Sequence, residues 1–174
     1  MINTLEVRDQ YFTAGWPVVF PIPVGKKFPP PGGVTGKGNH PTHQDVEKVW
    51  QGKLANCNLA LRMRSEHPDF DVIAIDIDNY GDKTGLQTIK DLEKSLGEEF
   101  PWYAPFSTRR DPKIGTGQFF FKVPKGLEFH GQLGADVDII QDNHRYSMVY
   151  PSVVNGDQYQ WYYMGNPAPI PRLE

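Results

Sequence analysis

The sequence contains a single cysteine, Cys57, among its 174 residues. An internal disulfide needs two cysteines and a structural zinc site usually draws on several, so both are excluded as supports for the fold. No apolar run approaches the roughly 20 residues of a membrane-spanning helix, and the first residues lack the pattern of a signal peptide. We therefore expect a cytoplasmic protein that uses no zinc and contacts no membrane.

Positive charge is also scarce, with 18 lysines and arginines against 21 acidic residues and a formal net charge of −3. A chain with this balance does not coat duplex DNA, so any contact with nucleic acid must come from a local basic patch. The length and the 39% hydrophobic content fit one globular domain. We predict a catalytic domain over residues 1–165 and a proline-rich exit or linker over residues 166–174.

Hydrophobic periodicity predicts helices early in the chain and strands late. The predicted helices span residues 3–14, 42–51 and 84–96, and capping boxes are predicted for Thr42 with Asp45 and for Thr84 with Gln87. The predicted strands span residues 16–22, 58–63, 72–77, 102–108, 118–123, 135–140, 145–150 and 159–163, and Pro17 and Pro21 make the first of them either an edge strand or a bent one. This order, without an internal repeat, predicts an α+β domain with a largely antiparallel or mixed sheet.

Two acids interrupt and close the apolar strand 72–77. Successive side chains of a strand point to opposite faces, so Asp76 and Asp78 point the same way. Two carboxylates this close resist joint ionisation and favour a cation such as Mg²⁺ or Mn²⁺. The alternative is a solvated strand end. Asp136 and Asp138 again share one face of an apolar strand. They either supply a third carboxylate for a two-metal site or are hairpin-end acids bonded to backbone N–H groups.

Two loops carry lysines and arginines. Residues 25–38 form an irregular segment that is either functional or a mobile surface loop; its Gly36-Lys37 pair does not make a phosphate loop, because Gly38 stands where Ser or Thr is needed. The second loop carries Arg109, Arg110 and Lys113. It is either a DNA contact or a solvated loop.

The order of short motifs resembles the N-terminal domain of bifunctional DNA primase–polymerases, within the archaeo-eukaryotic primase superfamily. The resemblance runs from about Gly15 to Trp161 and is carried by Gly15-Trp16-Pro, Lys27-Phe28-Pro29, Asn58-Leu-Ala-Leu, Ile75-Asp-Ile-Asp78, Gly134-Ala-Asp136, Pro151-Ser152 and Tyr159-Gln-Trp161. Two positions depart from the family pattern. Gln118 stands where the family has histidine, and Tyr150 replaces the first proline of Pro-Pro-Ser.

The resemblance implies an RRM-like catalytic core that performs template-directed nucleotidyl transfer with two Mg²⁺ or Mn²⁺ ions. It implies catalytic, metal-binding roles for Asp76, Asp78 and Asp136. The residues assigned to nucleotide contacts are Lys27, Asn58, Arg62, Thr116, Gln118 and Ser152. The implied partners are a single-stranded template or primer–template, NTP or dNTP, and a C-terminal helicase module in a bacterial, plasmid or phage replication protein. A catalytically degenerate DNA-binding module and a two-metal nuclease remain open.

Overall fold

Three α-helices and twelve strands are present in a computed structural model that describes residues 2–52 and 56–173. The helices are α1 (Thr4–Thr13), α2 (His43–Trp50) and α3 (Gly85–Leu96), with a 3-10 turn at Pro112–Ile114. The strands are β1 (Val19–Ile22), β2 (Asn58–Leu61), β3 (Phe70–Ile77), β4 (Phe106–Thr108), β5 (Gly117–Pro124), β6 (Gln132–Gly134), β7 (Val137–Ile140), β8 (Ser147–Met148), β9 (Val153–Val154), β10 (Asp157–Gln158), β11 (Gln160–Tyr163) and β12 (Asn166–Pro167).

The predicted α+β class is confirmed. A seven-stranded sheet has the order β12-β11-β4-β5-β3-β7-β6, a three-stranded sheet the order β1-β2-β8, and β9 pairs with β10. Each of these strand pairings, within the described ranges, is antiparallel. Strand β3 lies in the middle of the large sheet between β5 and β7, so its side chains contact both layers of the protein.

The alternation of β3 divides the apolar core between the two faces of the large sheet. Ile73, Ile75 and Ile77 pack with Ile89 of α3 on one face. Val72 and Ala74 pack on the other face against the cluster that contains α1, α2 and the small sheet. Asp76 follows Val72 and Ala74 in this alternation, so it lies on the side of the small sheet, where that apolar layer ends.

Several strands are shorter than predicted because prolines and turns interrupt them. Strand β1 begins at Val19 and occupies an edge of the small sheet, as Pro21 predicted. Strand β4 begins only at Phe106, after a turn that follows Pro101. Strand β8 is two residues long because Arg145 adopts a positive φ of 66° before it.

One capping box is confirmed and the other is wrong. The Thr42 hydroxyl accepts a hydrogen bond from the Asp45 N–H, and the Asp45 carboxylate accepts one from the Thr42 N–H. The Thr84 side chain accepts no capping bond from helix α3. Its N–H and hydroxyl both donate to the carboxylate of Asp136 instead, so a residue from the connection between β6 and β7 binds the N-cap residue of this helix.

The proline-rich segment after β11 lies against the N-terminal part of the chain. The indole N–H of Trp16 donates to the Pro171 carbonyl at 2.9 Å, and the Leu173 N–H donates to the Ala14 carbonyl at 2.9 Å. The Leu173 side chain is buried. The domain boundary at residue 165 stays a prediction. Across residues 2–52 and 56–173, none of the helices has the length and apolarity required to span a membrane.

Candidate active site

The end of β3 brings polar side chains of three neighbouring strands into one row. Asp76 lies directly opposite Gln118 of β5 and directly opposite Asp138 of β7. Residues that are paired across neighbouring strands project from the same face of a sheet, so the three side chains face the same side. Asp78 follows two residues after Asp76. The sheet register therefore brings Asp76, Asp78, Asp138 and Gln118 close together at this end of β3.

Asp76 and Asp78 line a small polar cavity together with basic and polar side chains. Its other lining residues are Lys27, Tyr80, Ser107, Thr108, Arg109, Arg110, Thr116, Gly117, Gln118 and Tyr159. Thr116 holds the neighbouring chain ends in place, because its hydroxyl donates to the Ile77 carbonyl at 2.8 Å and accepts from the Asn79 N–H. The cavity thus combines acids with a lysine and two arginines, the charges that a metal-bound polyphosphate requires.

Burial raises the pKa of the Asp76 carboxyl to about 7 from its ordinary value of 3.8. The nearby charge of Asp78 adds to this rise, whereas the hydrogen bond from Gln118 and the charge of Lys27 oppose it. An ionised Asp76 is therefore poorly compensated in the absence of a bound cation. A cation at this position would offset the free-energy cost of ionising the Asp76 carboxyl.

We expect the contribution of Asp76 to the stability of the metal-free protein to fall as the pH rises from about 4 to about 7, because the folded state holds the Asp76 proton more tightly than the unfolded chain does. The pKa change from 3.8 to about 7 corresponds to at most about 4 kcal/mol, at about 1.4 kcal/mol per pH unit. Asp76→Asn should therefore be more stable than wild type at pH 8 and not at pH 4. Urea unfolding in EDTA measures the difference, with exposed Asp82→Asn as the control. An equal difference at both pH values would contradict the prediction.

Asp136 lies beside Asp78 where β3 ends and β7 begins, and its carboxylate is held by Lys83, whose ammonium also lies 4.0 Å from the Asp78 carboxylate. Its carbonyl accepts a hydrogen bond from the Asp78 N–H at 2.9 Å, while its carboxylate accepts from Lys83 at 2.7 Å and from the Thr84 N–H at 2.9 Å. The Lys83 bond holds the pKa of Asp136 below its ordinary value, and the Thr84 bond adds to this effect. Asp136 has a positive φ of 56°, so the regular alternation of β7 starts only after it.

The backbone beside these acids is closely packed against the start of α3. The Gly85 N–H donates to the Asp78 carbonyl at 2.9 Å. A Cβ atom on Gly85 would lie 2.6 Å from the carbonyl oxygens of both Asp78 and Asp136. Only glycine fits between the two strand ends, so Gly85 determines how closely the helix approaches the acids.

Gln118 has an unused hydrogen-bond acceptor in the site. Its amide nitrogen donates to the Asp76 carboxylate at 3.3 Å, and its amide oxygen is buried without a partner. The residue is only 9% exposed. A buried acceptor that lacks a donor is costly, so this oxygen is available to a bound cation, water or nucleotide group.

The donor atoms of the site fit a hard divalent cation. The carboxylates of Asp76, Asp78 and Asp138 and the unpartnered oxygen of Gln118 are all oxygen donors, which Mg²⁺ and Mn²⁺ prefer. Within the described ranges, no three acidic, histidine or cysteine side chains already converge as a metal site. Protein cations hold two of the neighbouring acids: Arg145 bonds Asp138 at 2.5 Å and Lys83 bonds Asp136.

Three residues predicted to contact the nucleotide are not brought into the cavity. Asn58 donates to the carbonyls of Lys26 and Val153, and the Ser152 hydroxyl joins the N–H and carbonyl of Leu59. Arg62 is 1% exposed. Its guanidinium bonds Asp142 and the carbonyls of Val34 and Gly36. These contacts are internal to the fold, and the predicted nucleotide contacts of the three residues stay predictions without geometric support.

The three basic residues of the second loop differ in burial and position. Arg109 and Arg110 are half-buried and line the cavity, whereas Lys113 is exposed. Arg109 contacts the Val154 carbonyl and the Asp157 carboxylate, each at 3.4 Å, and the Arg110 guanidinium lies 3.7 Å from the ring centre of Tyr80. The two arginines are therefore fixed beside the acids rather than carried on a mobile loop.

Sequence reasoning missed the closeness of Asp138 to Asp76 and the cavity positions of Tyr80 and Tyr159. The alternation of β7 predicts that Asp138 shares a face with Asp136, whereas the family resemblance favours Asp136 as the ligand. The choice between them depends on the positive φ of Asp136 and on the pairing of β3 with β7, and neither is encoded locally. Tyr159 belongs to the Tyr159-Gln-Trp161 motif, but the motif by itself implies no place in the cavity, and no sequence signal separates Tyr80 from ordinary core aromatics.

Comparison with known proteins was informative at the level of families. Neither the curated proteins nor the solved structures contain a match to this chain. The family model for the N-terminal domain of bifunctional DNA primase/polymerase matches residues 8–173, nearly the whole chain. With the acid row at the centre of an α+β fold, this match shows that the chain belongs to the Prim-Pol family of bifunctional DNA primase/polymerase N-terminal domains.

Proposed function

We propose that this domain catalyses template-directed nucleotidyl transfer through a two-metal site, as part of a plasmid or phage replication protein. Membership of the family supports a primase/polymerase-type function that acts on DNA and nucleotides. One observation carries the finer proposal. The row of Gln118, Asp76 and Asp138 places oxygen donors on three adjacent strands, and Asp76 and Gln118 share a cavity with Lys27 and two arginines.

In this proposal Asp76, Asp78 and Asp138 hold the divalent ions. Bound ions of this kind lower the pKa of a primer 3′-hydroxyl and neutralise charge on the triphosphate. Asp138 is preferred to Asp136 as the third acid because it lies directly opposite Asp76, whereas the Asp136 carboxylate caps α3. The Asp136 assignment implied by the family resemblance becomes the alternative.

Lys27, Arg109 and Arg110 are proposed to hold the triphosphate. All three line the cavity that contains Asp76 and Asp78. An arginine stacked on an aromatic ring still presents its N–H donors in the plane of the guanidinium, which suits the paired oxygens of phosphate. The DNA contact originally predicted for the two arginines is therefore replaced in this proposal by a nucleotide contact, and Lys113 alone remains on the DNA side.

The deciding experiment incubates the protein with a primer–template, dNTPs and Mn²⁺. Extension of the primer supports nucleotidyl transfer. No change supports a degenerate DNA-binding module, an alternative favoured by Gln118 at the family's histidine position. Shortening of the primer supports a nuclease. Either of the last two results, obtained with a folded protein, overturns the proposal.

We expect Gln118→Ala to raise the KM for dNTP several-fold with a smaller change in kcat. A neutral amide bond contributes about 1 kcal/mol, and a phosphate contact is expressed largely in binding. Gln118→His should bind more tightly below about pH 6.5, where imidazole is protonated. Steady-state primer extension measures both, with exposed Gln87→Ala as the matched control. An unchanged KM for Gln118→Ala would mean that residues other than Gln118 bind the triphosphate.

A further inference from the structure

The segment before α2 carries positive charge in an otherwise acidic chain. Residues 10–44 contain Lys26, Lys27 and Lys37 and no aspartate or glutamate, so their local charge is three positive units. All three lysines are exposed. The local charge is opposite in sign to the net charge of the whole chain, −3. It is therefore a candidate for contact with a polyanion.

Hydrogen bonds from polar side chains of the core and its margin anchor the backbone of this irregular segment. The Asn58 amide donates to the Lys26 carbonyl at 2.8 Å, and the Tyr146 hydroxyl donates to the Lys27 carbonyl at 2.6 Å. Further along, Arg62 donates to the Val34 carbonyl at 3.1 Å, and the Val34 side chain is 1% exposed. The internal contacts of Asn58 and Arg62 thus hold the segment in a defined position.

This fixed segment presents an aromatic side chain to solvent. Phe28 is 70% exposed, the highest value for an aromatic residue in the described part of the chain. A single exposed apolar residue is common on protein surfaces and by itself means little. Phe28, however, directly follows two lysines whose backbone carbonyls are hydrogen-bonded, and its neighbour Lys27 lines the carboxylate cavity. An exposed aromatic ring on an anchored backbone beside exposed lysines is the combination that binds single-stranded nucleic acid.

We propose that residues 23–38 contact a single nucleic-acid strand, with Phe28 stacked on one base and Lys26 and Lys37 neutralising phosphates. The proposal rests on the proposed function in taking this strand to be the template that enters the carboxylate site. The binding itself requires no catalysis. The surface therefore gives the domain a strand contact separate from Arg109 and Arg110, which face the nucleotide.

The test measures the affinity of a fluorescent single-stranded DNA by anisotropy, in low salt with EDTA and without nucleotide. Phe28→Ala should weaken binding about 5- to 150-fold, the range for loss of one base–aromatic stack. On an abasic strand of the same length, wild type and Phe28→Ala should bind equally, because no base remains to stack. Phe28→Trp should restore binding to normal DNA. Tyr103→Ala, which removes an aromatic that is 65% exposed on the α3 side, is the matched control.

The lysines should behave differently from Phe28. Lys26→Ala should weaken binding to normal and abasic strands alike and reduce the slope of log affinity against log salt by about 0.7. Phe28→Ala should leave that slope unchanged. Together the two variants separate the stacking contribution from the charge contribution.

Three results would overturn the proposal: equal binding of normal DNA by wild type and Phe28→Ala, an equal loss on abasic DNA, or weaker dNTP binding with unchanged DNA binding. The last result would assign Phe28 to the nucleotide site. Primer extension with the same preparations separates this proposal from the proposed function. Extension without any effect of Phe28 on strand affinity overturns the strand contact alone, whereas Phe28-dependent binding without extension overturns nucleotidyl transfer alone.

Discussion

Asp76→Asn and Asp78→Asn are each expected to reduce nucleotide incorporation by at least roughly 100-fold, the loss typical when one group that stabilises developing charge is removed. Both substitutions remove an anionic oxygen from the cavity and leave the volume of the side chain nearly unchanged. The fold should persist, because neither acid forms an ion pair closer than the 4.0 Å between Asp78 and Lys83. Primer extension with Mn²⁺ measures incorporation, and thermal melting in EDTA checks the fold.

The same assay distinguishes the two candidates for the third acid. Asp138→Asn should lose incorporation, because Asp138 lies opposite Asp76, and its melting temperature should fall less than that of Asp136→Asn, because the contact it loses is a single ion pair with Arg145. Asp136→Asn should lower the melting temperature, because its carboxylate caps α3 and bonds Lys83, while incorporation at low temperature is retained in part. Asp82→Asn, at an exposed neighbouring position, is the control. The reverse pattern would restore Asp136 as the third ligand, and full activity of Asp78→Asn would remove the metal assignment altogether.

Gly85→Ala is expected to destabilise the protein and to abolish incorporation, although Gly85 has no side chain with which to contact a substrate. The new Cβ would lie 2.6 Å from two backbone carbonyl oxygens, and backbone atoms cannot move away as a flexible side chain does. Such overpacking costs about 1–3 kcal/mol, and two contacts place it at the upper end. The gain of about 1 kcal/mol from replacing glycine by alanine in a helix is smaller.

The net loss of about 2 kcal/mol should lower Tm by roughly 4–8 °C for a chain of this size. Gly32→Ala is the matched control for Tm, since its Cβ would meet no atom within 4 Å and its φ is not positive. Differential scanning calorimetry measures both variants, and primer extension below Tm tests whether the acids are displaced. A Gly85→Ala protein that melts and incorporates like wild type would contradict the close packing of α3 against the ends of β3 and β7.

Features that depend on neighbouring residues could be predicted from the sequence. The alternation of β3 predicted that Asp76 and Asp78 share a face, and both line one cavity. The capping box of Thr42 and Asp45 and the edge position of β1 were also predicted correctly. These features involve residues within a few positions of one another, so propensity, periodicity and proline chemistry determine them.

The partners of the buried polar groups could not be predicted in this way. Arg62 and Asn58 are residue types that often bind ligands, yet their N–H groups donate hydrogen bonds to carbonyls of a segment about 30 residues earlier in the chain. The sequence predicts a DNA contact or a solvated loop for Arg109 and Arg110, yet both are half-buried beside the acids. A buried donor must find an acceptor, and which acceptor is near depends on long-range packing.

By itself the sequence determined the α+β class, the acidic strand and, through the order of its motifs, the family, because these follow from local patterns that survive without knowledge of the contacts. The tertiary structure alone decided which residues meet. Pairing of β3 with β5 and β7 sets Gln118 and Asp138 beside Asp76, across 42 and 62 positions of sequence. A shift of one residue in either pairing would turn those side chains to the other face, and the register is fixed by burial of the apolar residues along the whole strand.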